Sequence, residues 1–344
     1  MTTFLGIDFP TWWFLVIGAV FSGYAILDGF DLGAGALHLF LGDEQHRRIA
    51  LNAIGPVWDG NEVWLVIGGG ALFAGFPEVY ATVLSAFYIP FMLFLVMLIL
   101  RAVAIEFRSK EAMAWWRKTW DTIYSVSSII ISLLLGVVLG NLIQGIPIDK
   151  HFEYTGTFVG LLNPFALLTG VTTLALFMMH GSIYLVMKTE KQLYTRLTLL
   201  VKATSQFFIA CYVALTVVTL VYIPHMAEHF RQHPVLFAVP LLTILAVVNT
   251  SWQISKGKYM RAFISSALTP ALLLITVALN LFPNMVISTT DAANTINIYN
   301  GSSSTLSLKI MLIIAAIGVP IVVTYTAFVF WTFRGKVKLD ETSY

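Results

Sequence analysis

Long runs of apolar residues, separated by short polar segments, occupy most of this chain. A helix needs about 20 mostly apolar residues to cross a bilayer. Nine runs reach that length, at about residues 12–40, 51–73, 79–104, 120–143, 162–187, 198–223, 235–254, 262–282 and 305–333. The alternation of apolar and polar positions that is typical of membrane β-barrels does not occur. The pattern therefore predicts an all-α integral membrane protein with nine transmembrane helices.

The basic residues are confined almost entirely to every second segment between these runs. Three of the 20 Lys and Arg residues, Lys150, Arg231 and Lys309, lie in the other segments, which leaves 17 in the alternate set. Lys and Arg concentrate in the cytoplasmic loops of membrane proteins. The N-terminus is therefore predicted outside and the C-terminus cytoplasmic, an arrangement that requires an odd number of spans and agrees with nine.

A faint internal repeat relates the first apolar run to the fifth. The segments GAVFSGYAILDG and GVTTLALFMMHG align at an offset of 152 residues, with glycines at both ends and Asp28 opposite His180. Such repeats occur in membrane proteins built from two related bundles. We therefore expect a single polytopic membrane domain over residues 1–344. Its parts are two four-helix bundles plus one peripheral helix, at about residues 12–143, 162–282 and 305–333.

The composition limits the possible functions. Only 11% of the 344 residues are charged and the net charge is +2, so the chain lacks the basic excess of a nucleic-acid-binding protein. A single cysteine, Cys211, excludes a disulfide framework and a metal centre built from several cysteines. We therefore predict a multi-pass membrane protein that binds no nucleic acid.

The first two apolar runs contain four acidic residues. Asp28 and Asp31 are three residues apart in the first run, and Asp59 and Glu62 have the same spacing in the second, so each pair shares one helix face. Asp31 and Asp59 are each 14 residues from residue 45, the centre of the connecting segment. Asp28 and Glu62 are each 17 residues from it. Equal rise along two antiparallel helices predicts matched depths, and hence one cluster of four carboxyl groups.

Two interpretations of this cluster are open from the sequence. Carboxylates that share a low-dielectric space would bind and release protons as a coupled set, and intramembrane acids commonly mark proton or ion paths. Alternatively, the acids stabilise helix ends or a subunit interface. Asp59 follows Gly55 and Pro56, a position suited to a helix N-cap. Trp58 and Asn61 accompany Asp59 and belong to the same candidate site.

The histidines give only weak signs of a cofactor. His180 lies within the fifth run without an evident partner histidine, so a packing role is favoured over haem ligation. His225, His229 and His233 recur every four residues, a spacing that could bind zinc on one helix face, but the flanking prolines favour an interfacial helix. We therefore predict no catalytic residue, no bound cofactor and no metal in this chain.

Several motifs, in order along the whole chain, resemble those of one family. They are DGFDLGAG, GPVWDGNEVWLVIGGGALFAGFPEVYA, FRSK, GNLIQGIP, LLNPFALLTG and PIVVTYTAFVFWTF. This set is similar to subunit II of the cytochrome bd quinol oxidases, and the block WDGNEVW is highly specific.

The resemblance implies that this chain is the haem-free partner of a subunit I with the same nine-helix fold. Subunit I of the family holds two haems b and haem d. The complex lies in the prokaryotic cytoplasmic membrane, oxidises quinol and reduces dioxygen to water with protons from the cytoplasm. Small single-span accessory subunits, membrane lipids and quinone complete the expected partners.

The resemblance also extends to individual residues of the candidate site. Asp28, Asp31 and Asp59 look like the acids proposed in the family to carry protons toward the haems. Trp58 matches the family's tryptophan beside the acid. Glu62 matches a position that family members also fill with Gln, so the resemblance does not require Glu62 to ionise.

Two other functions are compatible with the same residues. An ion-coupled secondary transporter would use the intramembrane acids for H⁺ or Na⁺ coupling, and the parallel repeat is compatible with that. A passive scaffold would only stabilise subunit I. Ion-driven uptake by this chain alone would favour the transporter, and unaltered oxygen consumption after all four acids are neutralised would favour the scaffold.

Overall fold

The computed structural model describes residues 3–223 and 225–339. These residues are mostly helical, in agreement with the predicted class. The α-helices are α1 (Phe9–Leu37), α2 (Glu44–Ile54), α3 (Trp58–Gly75), α4 (Pro77–Ala86), α5 (Tyr88–Phe107), α6 (Ala114–Gln144), α7 (Pro164–Lys188), α8 (Lys191–Tyr222), α9 (His225–Gln232), α10 (Ala238–Ser255), α11 (Tyr259–Leu281) and α12 (Thr305–Thr332).

Eight helical segments of the described residues are long and apolar enough to cross a membrane. The second predicted run, residues 51–73, is not among them. It is interrupted between α2 and α3, because Pro56 has no backbone N–H and its ring clashes with a helical carbonyl one turn back. The start of α3 also carries Asp59, Asn61 and Glu62. Nine membrane crossings therefore stay a prediction, in which α3 supplies the ninth.

Side-chain caps determine where two of the central helices begin. The Asp8 carboxylate accepts a hydrogen bond of 2.9 Å from the backbone N–H of Thr11 at the start of α1. The Asn163 side chain accepts one of 2.8 Å from Ala166 at the start of α7. Each helix has a proline in its first two positions, where the missing N–H costs nothing. The predicted bounds of these two runs agree with the helices to within a few residues.

The all-α prediction omits two short antiparallel β-hairpins. One joins β1 (Thr3–Phe4) to β2 (Ile7–Asp8), and the other joins β3 (Asn284–Val286) to β4 (Ile296–Asn297). The loop after α6 pairs with the second hairpin, since Ile146 donates a backbone hydrogen bond of 3.0 Å to the residue after β3. Buried aliphatic side chains from these segments form a second hydrophobic core at one end of the bundle.

The basic segments lie together at the other end of the bundle, called the basic end from here. It is formed by residues 42–48, 108–118, 188–196, 256–261 and 334–338. Contacts between segments bring them together: Arg196 donates to the Phe40 carbonyl at 2.9 Å, and Lys336 donates to the Thr189 carbonyl at 2.8 Å. The structure thus groups these segments on one side, while the orientation of that side toward the cytoplasm stays a prediction.

The helices pack in the same pattern in the two halves of the chain. In the first half, α1 contacts α3 and α6, and α5 contacts α6. In the second half, α7 contacts α8 and α11, and α10 contacts α11. The halves meet through α1 and α7, with α6 packed on α7 and α11 packed on α1. Two related bundles would produce this correspondence, in which each contact of one half has an equivalent in the other. The division of the chain into two halves stays a prediction.

Helices α1 and α7 approach so closely that their contact requires glycine. A β-carbon at Gly33 would lie 1.7 Å from the Phe177 carbonyl oxygen, and one at Gly181 would lie 2.5 Å from the backbone nitrogen of Ala34. Small residues allow such contact between membrane helices. The acidic residues of α1 are consequently enclosed within the bundle.

Candidate functional site

The first element of the site is a buried arginine held between two carboxylates. Arg101 Nη2 donates to Asp28 Oδ1 at 2.8 Å, and Arg101 Nη1 donates to Glu62 Oε2 at 3.1 Å. The side chains of Arg101 and Asp28 are 0% exposed, whereas that of Glu62 is 20% exposed. Hydrogen-bonded ion pairs of this kind offset the large cost of burying charge.

Arg101 does not belong to a basic segment, although the charge pattern counts it there. It lies inside α5 and is fully buried. Its position within the predicted run at residues 79–104 was the available signal, because an intramembrane arginine normally has an acidic partner. The expected cluster made only of carboxyl groups is therefore corrected: two of the four acids share one guanidinium, whose single positive charge compensates one negative charge.

Asp31, the other acid of α1, is hydrogen-bonded to the side-chain amide of Asn61. Asn61 Nδ2 donates to Asp31 Oδ2 at 2.7 Å, and both side chains are buried. The predicted pairing of Asp31 with Asp59 is therefore replaced by a contact with Asn61. The matched depth of Asp28 and Glu62 is confirmed, since both contact Arg101. Trp58, the first residue of α3, is buried in the main hydrophobic core.

Asp59 lies apart from these contacts. It is exposed at the surface of the chain and makes no side-chain hydrogen bond or ion pair with another described residue. It is the second residue of α3, whose N-cap is Val57, so the N-cap role suggested by the sequence is wrong. A carboxylate in the first turn still interacts favourably with the helix dipole. Asp59 thus faces outward, one helical turn from the partly exposed Glu62.

Several hydrogen-bonding atoms around Arg101 are buried without a partner in the described chain. They are Tyr24 Oη, Asp28 Oδ2, Asp31 Oδ1, Arg101 Nε and Tyr124 Oη. Buried polar groups are normally satisfied by protein or by water. The site therefore has the hydrogen-bonding capacity to bind water next to its carboxylates.

A second ion-pair group lies at the basic end. Asp121 accepts hydrogen bonds from Arg108 Nε at 2.5 Å and from Arg47 Nη1 at 3.2 Å, and lies 2.6 Å from His38 Nε2. Asp121 is not among the candidate residues that the sequence singles out. His38 is buried with it, since the His38 side chain is 1% exposed.

Tyr124 lies between the two ion-pair groups. Its ring packs edge-on against His38 with centroids 5.0 Å apart. Ten residues of α1 and its continuation separate His38 from Asp28, which is a rise of about 15 Å. Polar side chains thus extend from Asp121 at the basic end to Asp28 in the interior. This series was not evident from the sequence because its members come from several helices that are far apart in the chain.

His180 is held by two hydrogen bonds. Its Nε2 lies 3.1 Å from the Ile26 carbonyl, to which it donates, and its Nδ1 lies 2.7 Å from Ser266 Oγ. The ring stacks on Phe263 with centroids 4.7 Å apart. These contacts agree with the packing role favoured by the sequence, because both ring nitrogens face protein partners.

The remaining histidine candidates are only partly covered by the structure. The segment that begins at His225 is helical, as α9, but the side chains of His225 and His229 lie outside the described residues. Among the described residues, no group of three or more His, Cys, Asp and Glu side chains is arranged to hold a metal ion.

Comparison with known proteins identifies relatives of this chain. A family described as "Cytochrome bd terminal oxidase subunit II" matches residues 9–333. The cytochrome bd-I ubiquinol oxidase subunit 2 of Escherichia coli (strain K12) is 34% identical, over 96% of this chain and 95% of the relative. The cytochrome bd ubiquinol oxidase subunit 2 of Bacillus subtilis (strain 168) is 33% identical, over 96% and 97%.

A solved structure shares the fold. The structure of bd oxidase from Geobacillus thermodenitrificans superposes with a TM-score of 0.77 at 16% identity, covering 94% of this chain and 98% of the other. The family match extends over nearly the whole chain, and the helices are those of a multi-pass membrane protein. The chain therefore belongs to the family of cytochrome bd terminal oxidase subunit II.

Proposed function

We propose that this chain is the haem-free subunit of a terminal oxidase in the bacterial cytoplasmic membrane. The complex would oxidise quinol and reduce dioxygen to water, with the haems held by a partner subunit I. The names of the Escherichia coli and Bacillus subtilis relatives support the quinol oxidase activity. The two hydrogen bonds that engage the ring nitrogens of His180 support the haem-free assignment.

The observation that carries the proposal is the graded series Asp59, Glu62 and Asp28. The first is exposed, the second is partly exposed, and the third is buried against Arg101. Burying such groups in an apolar bundle is costly and typically accompanies proton or ion movement. An oxidase consumes protons when it reduces dioxygen, and hydrocarbon does not conduct them. We assign this series to proton uptake from the basic end, which would face the cytoplasm.

The exposed position of Asp59 also indicates where subunit I would bind. Lipid tails offer no hydrogen-bond donor to a carboxylate. A protein partner, or water held between two proteins, can donate such a hydrogen bond. We therefore place the face of α3 that carries Asp59 against subunit I, so that the carboxylate links the interface to Glu62 and Arg101. Small accessory subunits would attach elsewhere in the complex.

The first test is Asp59→Asn in the assembled complex. Asn is nearly isosteric and keeps hydrogen bonding, so assembly and haem content should stay close to normal. It cannot bind and release a proton, so quinol oxidase turnover should fall at least several-fold. The fall should deepen at high pH, where protons are scarce. Oxygen consumption measured from about pH 6 to about pH 9 checks the loss of turnover, and the haem spectrum checks assembly.

Two matched variants serve as controls. Glu190→Gln removes an exposed carboxylate at the basic end that lies outside this series, and it should leave turnover unchanged. Glu62→Gln should be milder than Asp59→Asn, because the family resemblance includes Gln at this position. Normal turnover of the Asp59→Asn complex at every pH would remove Asp59 from the proton path. Failure to assemble would instead assign the carboxylate to the subunit contact.

A further inference from the structure

A cavity of about 450 Å³ opens at the basic end, where the chain leaves α12. Its walls come from the break between α2 and α3, the end of α7, and residues 332–338. Its volume is within the range of about 300–1,000 Å³ that is usual for small-molecule sites. It is distinct from the Arg101 site, because none of the residues around Arg101 lines it.

The cavity is strongly cationic. Among the described residues that line it, four are basic and none is acidic; the basic ones are Lys188, Arg334, Lys336 and Lys338. A general excess of basic residues on one side of a membrane protein would leave them dispersed. Here a tertiary contact gathers them, since the Val337 N–H donates to the Lys188 carbonyl at 2.9 Å.

Two of the four cations are already fixed by neutral partners. Lys188 Nζ donates to the Phe333 carbonyl at 2.6 Å, and Lys336 Nζ donates to the Thr189 carbonyl at 2.8 Å. These bonds anchor residues 333–337 to α7 without cancelling either charge. Arg334 lies over the Trp331 ring at 4.8 Å, and its guanidinium keeps its donors for an anion.

Two neighbouring features favour a lipid anion over a soluble one. The N-terminus of α3, which has no side-chain cap, borders the cavity through residues 55–57, so the positive end of its helix dipole lies at that wall. The end of α12 beside the cavity is apolar and uncovered, with Phe328 and Trp331 each 59% exposed. Acyl chains would cover such a surface, and tryptophan is typical of the depth at which headgroups lie.

We infer that this cavity binds the phosphate group of an anionic phospholipid, through Arg334 and Lys338 with Lys188 and Lys336 behind them. The acyl chains lie along the end of α12. Basic pockets between membrane helices are a known means of binding anionic headgroups.

The test uses the purified complex with its partner subunit, in nanodiscs of phosphatidylcholine with and without phosphatidylglycerol. Native mass spectrometry counts retained lipid, and thermal unfolding reports stabilisation. The wild type should retain phosphatidylglycerol over phosphatidylcholine and unfold at a higher temperature with it. In the Arg334→Gln/Lys338→Gln variant this preference should fall by about tenfold or more, since each interfacial cation contributes about 1 kcal/mol. Lys338→Gln alone should give an intermediate loss.

The matched control is Lys258→Gln/Arg261→Gln, which removes the same charge from another exposed part of the basic end. It should keep the lipid preference. An equal loss in both double variants would assign the effect to general surface charge and overturn the site. Unchanged retention in the Arg334→Gln/Lys338→Gln variant would overturn it too. Stabilisation by inorganic phosphate without any lipid preference would assign the cavity to free phosphate and overturn the lipid assignment.

Discussion

At the scale of single residues, Arg101 determines the electrostatics of the interior. One guanidinium contacts carboxylates from two helices, Asp28 on α1 and Glu62 on α3. It therefore ties α1, α3 and α5 together. The planar fork of arginine is suited to two separate acceptors, which a lysine ammonium reproduces poorly.

We expect Arg101→Gln to lower the free energy of unfolding of the complex by about 3–5 kcal/mol, because it leaves buried carboxylates without their cation. The double variant Asp28→Asn/Arg101→Gln removes both members of the fully buried pair and should regain part of that loss. Unfolding monitored by circular dichroism in detergent measures both. A single variant as stable as the wild type would show that Asp28 is not charged in the folded protein.

At the scale of elements, the contact between α1 and α7 holds the site together. Glycines on both helices bring the backbones into contact, and this contact encloses Asp28 and Asp31. Helix packing at such distances leaves no room for a methyl group. The same helix contains a glycine without this constraint, at Gly18, so the two positions can be compared directly.

Gly33→Ala should destabilise the chain by about 2–3 kcal/mol or more, because the new methyl group would meet the Phe177 carbonyl and force the helices apart. Gly18→Ala has open space around it and should be neutral or stabilising by up to about 1 kcal/mol, since it removes backbone freedom from the unfolded chain. The midpoint of thermal unfolding of each complex measures this. A Gly33→Ala complex with an unchanged midpoint would contradict the close contact.

At the scale of the whole molecule, the two ends of the bundle differ in charge and in structure. The basic end gathers the cationic segments and residues 333–338, whereas the opposite end is closed by hairpins and their hydrophobic core. Positive charge on one side is what orients a membrane protein during insertion. Orientation is therefore a property of the whole chain that labelling can test.

Cysteine labelling in intact cells measures the orientation. In a Cys211→Ala background, Lys258→Cys at the basic end should resist a membrane-impermeant maleimide until the cells are opened. Glu153→Cys at the opposite end should react at once; both side chains are exposed. Immediate labelling of Lys258→Cys with protection of Glu153→Cys would reverse the proposed topology.

The second prediction at this scale concerns assembly. Produced without subunit I, the chain should aggregate or be degraded, because Asp59 would face lipid without a polar partner. Size-exclusion chromatography of the chain with and without its partner measures this. Asp59→Asn should lessen the defect of the isolated chain, since an amide costs less than a carboxylate in an apolar surrounding. A monodisperse wild-type chain purified alone would contradict an obligate contact at Asp59.

The sequence by itself determined the class of this protein and most of its helices. Runs of about 20 apolar residues have few alternatives to a membrane helix, and eight of the nine predicted runs correspond to described helices that are long and apolar enough to cross a membrane. The motif around Asp59 indicated the family, because that combination of residues is rare in apolar sequence. Apolar runs and short motifs are local properties, so they can be recognised directly in the order of residues.

Only the tertiary structure decided which polar groups meet. Asp28 and Arg101 are 73 residues apart in the chain, and so are not related by any helical spacing. Asp121 joins Arg47, Arg108 and His38 for the same reason, and the cationic cavity exists only because residues 333–337 return to α7. Charge pairing in a membrane interior depends on which helices are neighbours and how each is rotated. The packing of glycine-rich helix faces determines these neighbours and rotations. They therefore cannot be inferred from the order of residues along the chain.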